Sequence, residues 1–550
     1  MLSRIVGRAA QDSSVLPVFS SAAWPWTVGA VVAALVAGAL LGVAVLLTGP
    51  VPVLMGVVGI LVALLVFRYP EAIVVLMLAL ASQLIPSRFN IFVDLFVGRF
   101  QVSDLLLFWL LFVTALRVIM EKDFPYRRSR LDLPMALFYL AVLGGLATAV
   151  FLFGVNFRYA TYEARTLAYY LAFFPITTLV RTRRQLVRLS IGVMGVAVLM
   201  AVSMLLQSTI QPGILADDWT LDVEGVVRIF HPGFSAVYVG LLMLAGYVAT
   251  RSGRERASRG VHDWGWLQWA IMLVLATALF STLARNLLIA GTVSFGLLAL
   301  LLGSEQRRNL IQMLLRLTVS LAVVLVFLAL VFDTSTLITQ YAAAYVGRLE
   351  RMFSSEILTR EENLFSRWEE MQFAFQRLQE NPILGTGLYN PYRPAFYEGE
   401  PITLRHFIHN AYLGIWLKTG IAGLVSFLWF SAAFLRQGFR GLERSERQGW
   451  KRVSHPLLRG VALGSLVAYV GLLMANFVAP SFLQPGSLAI MGVTLGLTTS
   501  ILLLDGGPDQ EISEGEVLNE VKGKVLNEVK GKVLNEVKGK VLNVVKGEST

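Results

Sequence analysis

The chain has 550 residues, of which 56% are hydrophobic and 15% are charged, and its mean hydropathy is +0.65. A soluble domain carries about 25% charged residues, so this composition excludes one. The absence of cysteine excludes disulfides, thiolate nucleophiles and cysteine-ligated metal sites. The formal net charge of +11 does not indicate nucleic acid, because the basic residues lie in short loops between apolar runs, where they set membrane topology.

Apolar runs of about 20 residues, each able to cross a hydrocarbon core of roughly 30 Å, recur along the whole chain. They predict an all-α polytopic membrane protein with about 14 transmembrane helices (about 12–14). No cleavable signal peptide is expected, because the first run leads straight into a second span. The predicted spans are 28–47, 51–67, 72–86, 103–120, 133–153, 160–179, 186–206, 232–250, 264–283, 285–303, 310–332, 411–435, 457–478 and 484–504.

The loops between these spans predict the orientation. When the predicted spans cross the membrane in alternating directions, every loop rich in Lys and Arg falls on one side. The positive-inside rule makes that side cytoplasmic. Both termini are then cytoplasmic. The basic loops are 68–72, 121–130, 181–188, 251–259, 305–308 and 436–452.

Two longer connections, 207–231 and 333–410, fall on the outer side. In the second, 366–380 has apolar residues at helical spacing and 381–392 is punctuated by Pro and Gly, which predicts a helix lying over the membrane and then a turn. The predicted organisation is helices 1–11 over 1–332, a large helical loop on the outer side over 333–410, helices 12–14 over 411–505 and a tail over 506–550.

The C-terminal tail differs from the rest of the chain because its sequence is repetitive. From Glu516 the unit VLNEVKGK repeats with a period of eight residues, and its last copy is degenerate. This predicts a low-complexity cytoplasmic tail, with a weakly amphipathic surface or partner helix as the alternative.

Three positions bring cationic or titratable side chains to the outer boundary. Arg228 closes the first outer loop, Arg285 lies in a tight hairpin between two apolar runs, and His409 with Asn410 opens the span after the long loop. Arg binds phosphate through parallel N–H donors, and His accepts a proton near neutral pH. Together they predict an anion site with a base beside it. A polyprenyl-diphosphate-linked glycan, with its diphosphate at the interface and its tail in the bilayer, fits such a site.

Each of these residues also has a structural interpretation. Arg228 could snorkel to the headgroups, and His409 could cap a helix. His231 and His406 are secondary candidates, and for His406 a structural role is favoured.

Glu163 and Arg165 are charges within the sixth predicted span. Two residues apart, they do not share a helix face, so each is expected to find a partner elsewhere, either in a structural pair or in the site. Such charges would favour a transporter, but no similarity between the halves of the chain supports that alternative.

Two segments, SRWEEMQFAFQRLQENPILGTGLYN and HNAYLGIWLKTGIAGLVSFL, resemble the O-antigen ligases and O-antigen polymerases over about 366–428. The shared pattern is Arg-Trp, a helix, Asn-Pro-(apolar)₂-Gly-x-Gly, a spacer, and His-Asn-x-(apolar)-Leu before Gly-(apolar)-x-Gly. It is filled by Arg367, Trp368, Asn381, Pro382, Gly385, Gly387, His409, Asn410, Leu413, Gly420 and Gly423.

The resemblance implies a GT-C-type membrane glycosyltransferase that transfers a preassembled glycan from undecaprenyl diphosphate on the outer face of the inner membrane. No metal or other cofactor is expected, in agreement with the absence of a clear Asp-x-Asp in an outer loop. By resemblance His409 is the base, and Arg228 and Arg285 match the two outer arginines that face the diphosphate. The supporting residues of this candidate site are Asn410, Arg367, His406 and His231.

The acceptor separates the two members of the superfamily. A ligase transfers to lipid A–core, and a polymerase transfers to another lipid-linked glycan, as in O-antigen or exopolysaccharide polymerases. The His-Asn motif after a long outer loop favours the ligase, whereas a span count above twelve favours the polymerase.

Overall fold

A computed structural model describes residues 68–84, 92–95, 98–121, 126–209, 220–223, 226–229, 231–251, 265–282, 284–332, 362–396, 400, 402–447 and 455–504. The chain divides into two compact units, Met1–Ile73 and Val74–Thr550. Only 68–73 of the first unit is described, so the site discussed below belongs to the second.

Most of the described chain is helical. The helices are α1 Pro70–Ala81, α2 Val102–Met120, α3 Asp132–Ala147, α4 Phe157–Leu167, α5 Phe173–Leu179, α6 Arg183–Thr209, α7 Phe234–Thr250, α8 Gly265–Ser281, α9 Arg285–Leu301, α10 Ser304–Phe332, α11 Glu362–Glu380, α12 Ile402–Arg405, α13 Ala411–Arg447, α14 Pro456–Ala475 and α15 Pro485–Leu502. A π-helical turn continues α3, and short 3₁₀ turns join α4 to α5 and precede α15; these are Thr148–Leu152, Ala168–Ala172 and Ser481–Leu483.

Two small antiparallel hairpins, which the sequence analysis did not predict, accompany the helices. Strand β1 (Phe92–Leu95) pairs with β2 (Gly98–Gln101), and β3 (Thr220–Val223) pairs with β4 (Val226–Ile229). The first hairpin ends directly before α2, and the second ends a few residues before α7.

Six helices of the described chain are long and apolar enough to cross a membrane, and four shorter ones are apolar. They agree closely with the predicted spans, which confirms a helical membrane protein. The predicted spans 28–47 and 51–67 and the tail 506–550 lie outside the described residues. Helix α13 extends about three turns past the predicted end of its span, into the loop 436–452.

Helices α7 and α14 pack closely because glycine brings their backbones together. A Cβ on Gly460 would lie 2.2 Å from Cα of Tyr247, and one on Gly464 would lie 2.2 Å from the carbonyl oxygen of Leu242. Such small-residue contacts are typical of helices that pack in a membrane. Since numbers fall in α7 as they rise in α14, the two helices are antiparallel.

Helix α9 is also antiparallel to α14. The hydroxyl of Ser294 donates to the carbonyl of Val467 at 2.7 Å, and a Cβ on Gly471 would lie 2.8 Å from the carbonyl oxygen of Ala290. The first turns of α7 and α9 therefore lie at the same end of the bundle as the last turn of α14.

Helix α13 packs antiparallel on α3 through aromatic rings and then breaks. The ring of Phe138 lies 6.1 Å from that of Phe427 and 5.6 Å from that of Phe430. A Cβ on Gly145 would lie 2.2 Å from the carbonyl oxygen of Lys418. Two residues further on, Gly420 has φ 68° and ψ −176°, which interrupts the helical backbone.

Helix α11 runs beside the first turns of α13 and in the same direction. Glu370 contacts His409, and three turns later the carbonyl of Ile383 accepts a bond from the N–H of Ile421. The apolar face of α11 packs against the start of α13. That this helix lies over the membrane stays a prediction. The buried residues of this contact are Ala374, Leu378, Tyr392, Ile408, Leu413 and Leu417.

Candidate active site

A buried carboxylate holds the ring of His409. Oε2 of Glu370 lies 2.8 Å from Nδ1 of His409 and also accepts the backbone N–H of His409 at 3.2 Å. An ionised carboxylate can only accept, so Nδ1 is the donor in this contact, and in a neutral imidazole Nε2 is then the acceptor. The Glu370 side chain is 6% exposed and that of His409 is 32% exposed. The buried carboxylate of Glu370 therefore orients an imidazole that is itself accessible.

The second residue of the His-Asn motif, Asn410, caps a helix. Its Oδ1 accepts the backbone N–H groups of Tyr412 and Leu413, each at 3.1 Å, which caps the start of α13. The N–H of Ala411 donates to the carbonyl of Asn476 at the end of α14. His409 is thus anchored to the first turn of one span and the last turn of another.

The Asn-Pro/Gly turn docks into the break of α13. The N–H groups of Thr386 and Gly387 donate to the carbonyl of Leu417 at 2.6 and 3.3 Å. This carbonyl and the N–H of Ile421 are groups that the break at Gly420 frees from the helix. Backbone that is not helical is tolerated at membrane depth only where another segment satisfies it, as this turn does.

The two glycines of this turn have left-handed backbones and no room for a side chain. Gly385 has φ 69° with a Cβ position 2.2 Å from the carbonyl oxygen of Leu417, and Gly387 has φ 80° with a Cβ position 2.5 Å from the amide nitrogen of Ala149. The spacing Gly-x-Gly therefore has a packing reason, since both positions require glycine.

The described fold brings the two candidate arginines to the end of the bundle that carries His409. Arg285 is the half-buried first residue of α9, and Arg228 lies in β4, just before α7. The first turns of α7 and α9 lie beside the last turn of α14, where Asn476 accepts the N–H of Ala411. The predicted cation and base positions thus lie at the same end of this helix bundle.

Residues 270–428 match the family model described as O-Antigen ligase. The match shows similarity to the O-antigen ligase superfamily over this region of the chain. It includes Arg285, the Glu370–His409 pair, the glycine turn and the break of α13, and it confirms the resemblance expected from the sequence. No curated protein matches the chain.

Glu370 is a residue of the matched region that the sequence analysis missed. It lies four residues before Ala374 and eight before Leu378, so it shares the apolar face of α11. A carboxylate on the apolar face of an amphipathic helix is costly unless it is paired, and this signal could have identified it.

Lys418 was also missed, although it is a charge within a predicted span. Its ammonium pairs with Glu163 of α4 and donates to the carbonyl of His406 at 3.1 Å. The second oxygen of Glu163 accepts the backbone N–H of Tyr389. This pair, with Lys418 buried and Glu163 half-buried, therefore ties α4 and α13 to the turn and to the segment that leads to His409.

Arg165 has a different partner. Its guanidinium lies 3.0 Å from Oδ2 of Asp104, in the first turn of α2, and donates to the carbonyl of Arg99. Tyr169 donates to Oδ1 of Asp104 at 2.7 Å. Both members of the ion pair are buried, so Glu163 and Arg165 each have a partner elsewhere in the chain, as predicted.

A second buried ion pair fixes the segment between the turn and His409. Nη1 and Nη2 of Arg393 bind the two oxygens of Glu400 at 2.9 and 2.8 Å, and Nη2 also donates to the carbonyl of Leu404. The hydrogen bond from Arg393 lowers the pKa of Glu400. This bidentate clamp closes the loop from which His409 emerges.

His231 is buried in the turn before α7. Its Nδ1 accepts the N–H of Gly233 at 3.0 Å, and burial lowers the pKa of His231 to about 4. A neutral imidazole shapes this turn, and it contributes no positive charge to an anion site at neutral pH.

The other supporting candidates occupy defined positions. Arg367 is half-buried on α11, three residues before Glu370. The ring of His406 packs against that of Tyr389, with 4.0 Å between centroids. Within the described part of the chain, no cluster of His, Asp or Glu could hold a metal ion.

Proposed function

We propose that the protein is a membrane glycosyltransferase of the O-antigen ligase type. It would transfer a preassembled glycan from undecaprenyl diphosphate to a sugar hydroxyl of lipid A–core, on the periplasmic face of the inner membrane. The observation that carries this proposal is the Glu370–His409 pair inside the O-antigen ligase domain. A carboxylate-oriented imidazole at the outer end of a membrane bundle suits proton abstraction from a sugar hydroxyl.

His409 acts as the base in this scheme. Its Nε2 accepts the proton of the acceptor hydroxyl while that oxygen bonds to the anomeric carbon. The bond from the anomeric carbon to the diphosphate oxygen breaks, its electron pair stays on the diphosphate, and the configuration inverts. Glu370 keeps the proton on Nδ1 and stabilises the imidazolium that forms. The imidazolium then gives up its proton to solvent or to the released diphosphate.

Arg228 and Arg285 neutralise the departing diphosphate. Arginine remains charged and donates in parallel to phosphate oxygens, so it stabilises charge that develops in the transition state by about 3 kcal/mol for each donor. Both arginines belong to the end of the bundle that carries His409.

Purified protein given undecaprenyl-diphosphate-linked glycan, first alone and then with lipid A–core, tests the function. Product that requires lipid A–core supports the ligase. Longer lipid-linked chains from donor alone would assign a polymerase, and no product with either would favour transport. His409→Ala is expected to abolish transfer, whereas His455→Ala, at the opposite end of α14, is the matched control.

Metal independence is tested in the same assay. We expect equal rates with and without a chelator such as EDTA. A rate that falls with EDTA and returns with one divalent cation would contradict the proposed mechanism.

A further inference from the structure

Three aromatic rings form a continuous stack near His409. The rings of Tyr159 and Tyr389 have 5.1 Å between centroids and 11° between planes, and those of Tyr389 and His406 have 4.0 Å and 33°. Tyr389 is the ring common to both contacts, so it links the other two. The stack joins the start of α4 to the segment just before His409.

Tyr159 forms the accessible end of this stack. It is 56% exposed, and Phe157 on the same helix is 47% exposed. Exposed aromatic residues at a membrane boundary commonly act as interfacial anchors. Tyr159 differs from Phe157 because its ring is fixed in a stack whose other members lie in the loop that carries the base.

The middle ring is held in an uncommon backbone conformation. Tyr389 has φ 59°, and the only other non-glycine residue with a positive φ in the described chain is Gln83. The N–H of Tyr389 donates to Glu163, whose partner Lys418 donates to the carbonyl of His406. The Glu163–Lys418 ion pair thus holds two members of the stack, and strain held in this way is characteristic of functional sites.

The stack lies within reach of the proposed chemistry. His406 and His409 are three positions apart in the chain, and three residues of extended chain span at most about 11 Å. A short oligosaccharide extending from the reacting sugar can cover that distance.

We propose that the Tyr159–Tyr389–His406 stack is a subsite for a sugar ring of a substrate glycan. A pyranose has an apolar face of C–H groups, which matches the ring face of a tyrosine and needs no hydroxyl from it. The sugar belongs either to the lipid-linked donor or to the acceptor. This inference rests on the proposed function, because it names a further contact of the same substrates.

Steady-state kinetics of Tyr159→Ala, Tyr159→Phe and Phe157→Ala test the subsite, with donor and lipid A–core varied separately. Tyr159→Ala is expected to raise KM about tenfold for one glycan, which corresponds to about 1.4 kcal/mol. The substrate whose KM rises identifies the source of the sugar. Tyr159→Phe and Phe157→Ala should leave both KM values within about twofold of wild type. Equal losses in the two alanine variants, or unchanged KM values in Tyr159→Ala, would overturn the subsite.

Binding separates this inference from the function on which it rests. Affinities of the same two glycolipids for the protein in nanodiscs, measured without turnover, should fall in Tyr159→Ala only for the substrate identified by KM. If the wild type binds one glycolipid more tightly than Tyr159→Ala does but transfers no glycan, the result contradicts the proposed function alone. If the wild type transfers glycan but Tyr159→Ala binds both glycolipids with the wild-type affinity, the result contradicts the subsite alone.

Discussion

Glu370 bonds to both the ring and the backbone of His409, at 2.8 and 3.2 Å. One carboxylate oxygen therefore fixes the tautomer of the imidazole and the position of the residue that carries it. Because α11 and the start of α13 run side by side, this contact is part of a continuous apolar interface that keeps it rigid.

Replacing Glu370 tests its positioning role. Glu370→Gln keeps an acceptor for Nδ1–H but removes the charge, whereas Glu370→Ala removes both. We expect kcat to fall about tenfold or more in Gln and about 10²–10³-fold in Ala, with little change in either KM.

The informative result is that kcat falls further in Glu370→Ala than in Glu370→Gln. A similar loss in Glu369→Ala, the neighbouring residue on α11, would mean that general damage to the helix explains both. Thermal stability measured in the same detergent provides the control for folding.

Adjacent glycines in α3 give a matched test of the α3–α13 contact. A Cβ at Gly145 would lie 2.2 Å from the carbonyl oxygen of Lys418, whereas one at Gly144 meets nothing within 4 Å. Gly145→Ala should destabilise the protein by about 1–3 kcal/mol and lower activity, because α13 must shift. Gly144→Ala should be neutral or slightly stabilising. Equal melting temperatures of the two variants would contradict the described packing.

The Glu163–Lys418 pair lends itself to a double-mutant cycle. Glu163→Gln or Lys418→Met alone leaves one buried charge without its partner, which costs about 3–5 kcal/mol. The double variant should recover most of this loss, because neither charge remains. Additive losses in thermal denaturation would show that the two side chains do not interact.

Stability should depend on pH through His231. Burial lowers the pKa of His231 to about 4, below its unfolded value of about 6.5, so the unfolded state binds more protons between these values. This contribution, at most about 3 kcal/mol, is present above about pH 6.5 and is lost as pH falls towards 4. In His231→Asn, whose side-chain oxygen can still accept the N–H of Gly233, the melting temperature should fall less between neutral pH and about pH 5. Identical pH profiles for the two proteins would exclude this role.

Part of the candidate site could be read from the sequence because its signals are local. His409 and Asn410 stand at the mouth of an apolar run, and Arg285 interrupts another, so their positions at the membrane boundary follow from span length alone. The orientation of Lys-rich and Arg-rich loops depends on the same local patterns.

The partners of these residues could not be read in this way. Glu370 precedes His409 by 39 residues, and Glu163 precedes Lys418 by 255. No periodicity links such positions, since each pair forms only when two helices pack.

By itself, the sequence determined a helical membrane protein, the helical segment 366–380, the glycine turn and the candidate base, because apolar length, helical spacing and backbone freedom act over a few residues. The tertiary structure decided that α11 runs beside α13, that the turn fills the break at Gly420, and that Glu370 orients His409. These features depend on which buried polar groups satisfy one another, and only the packed chain brings such groups together.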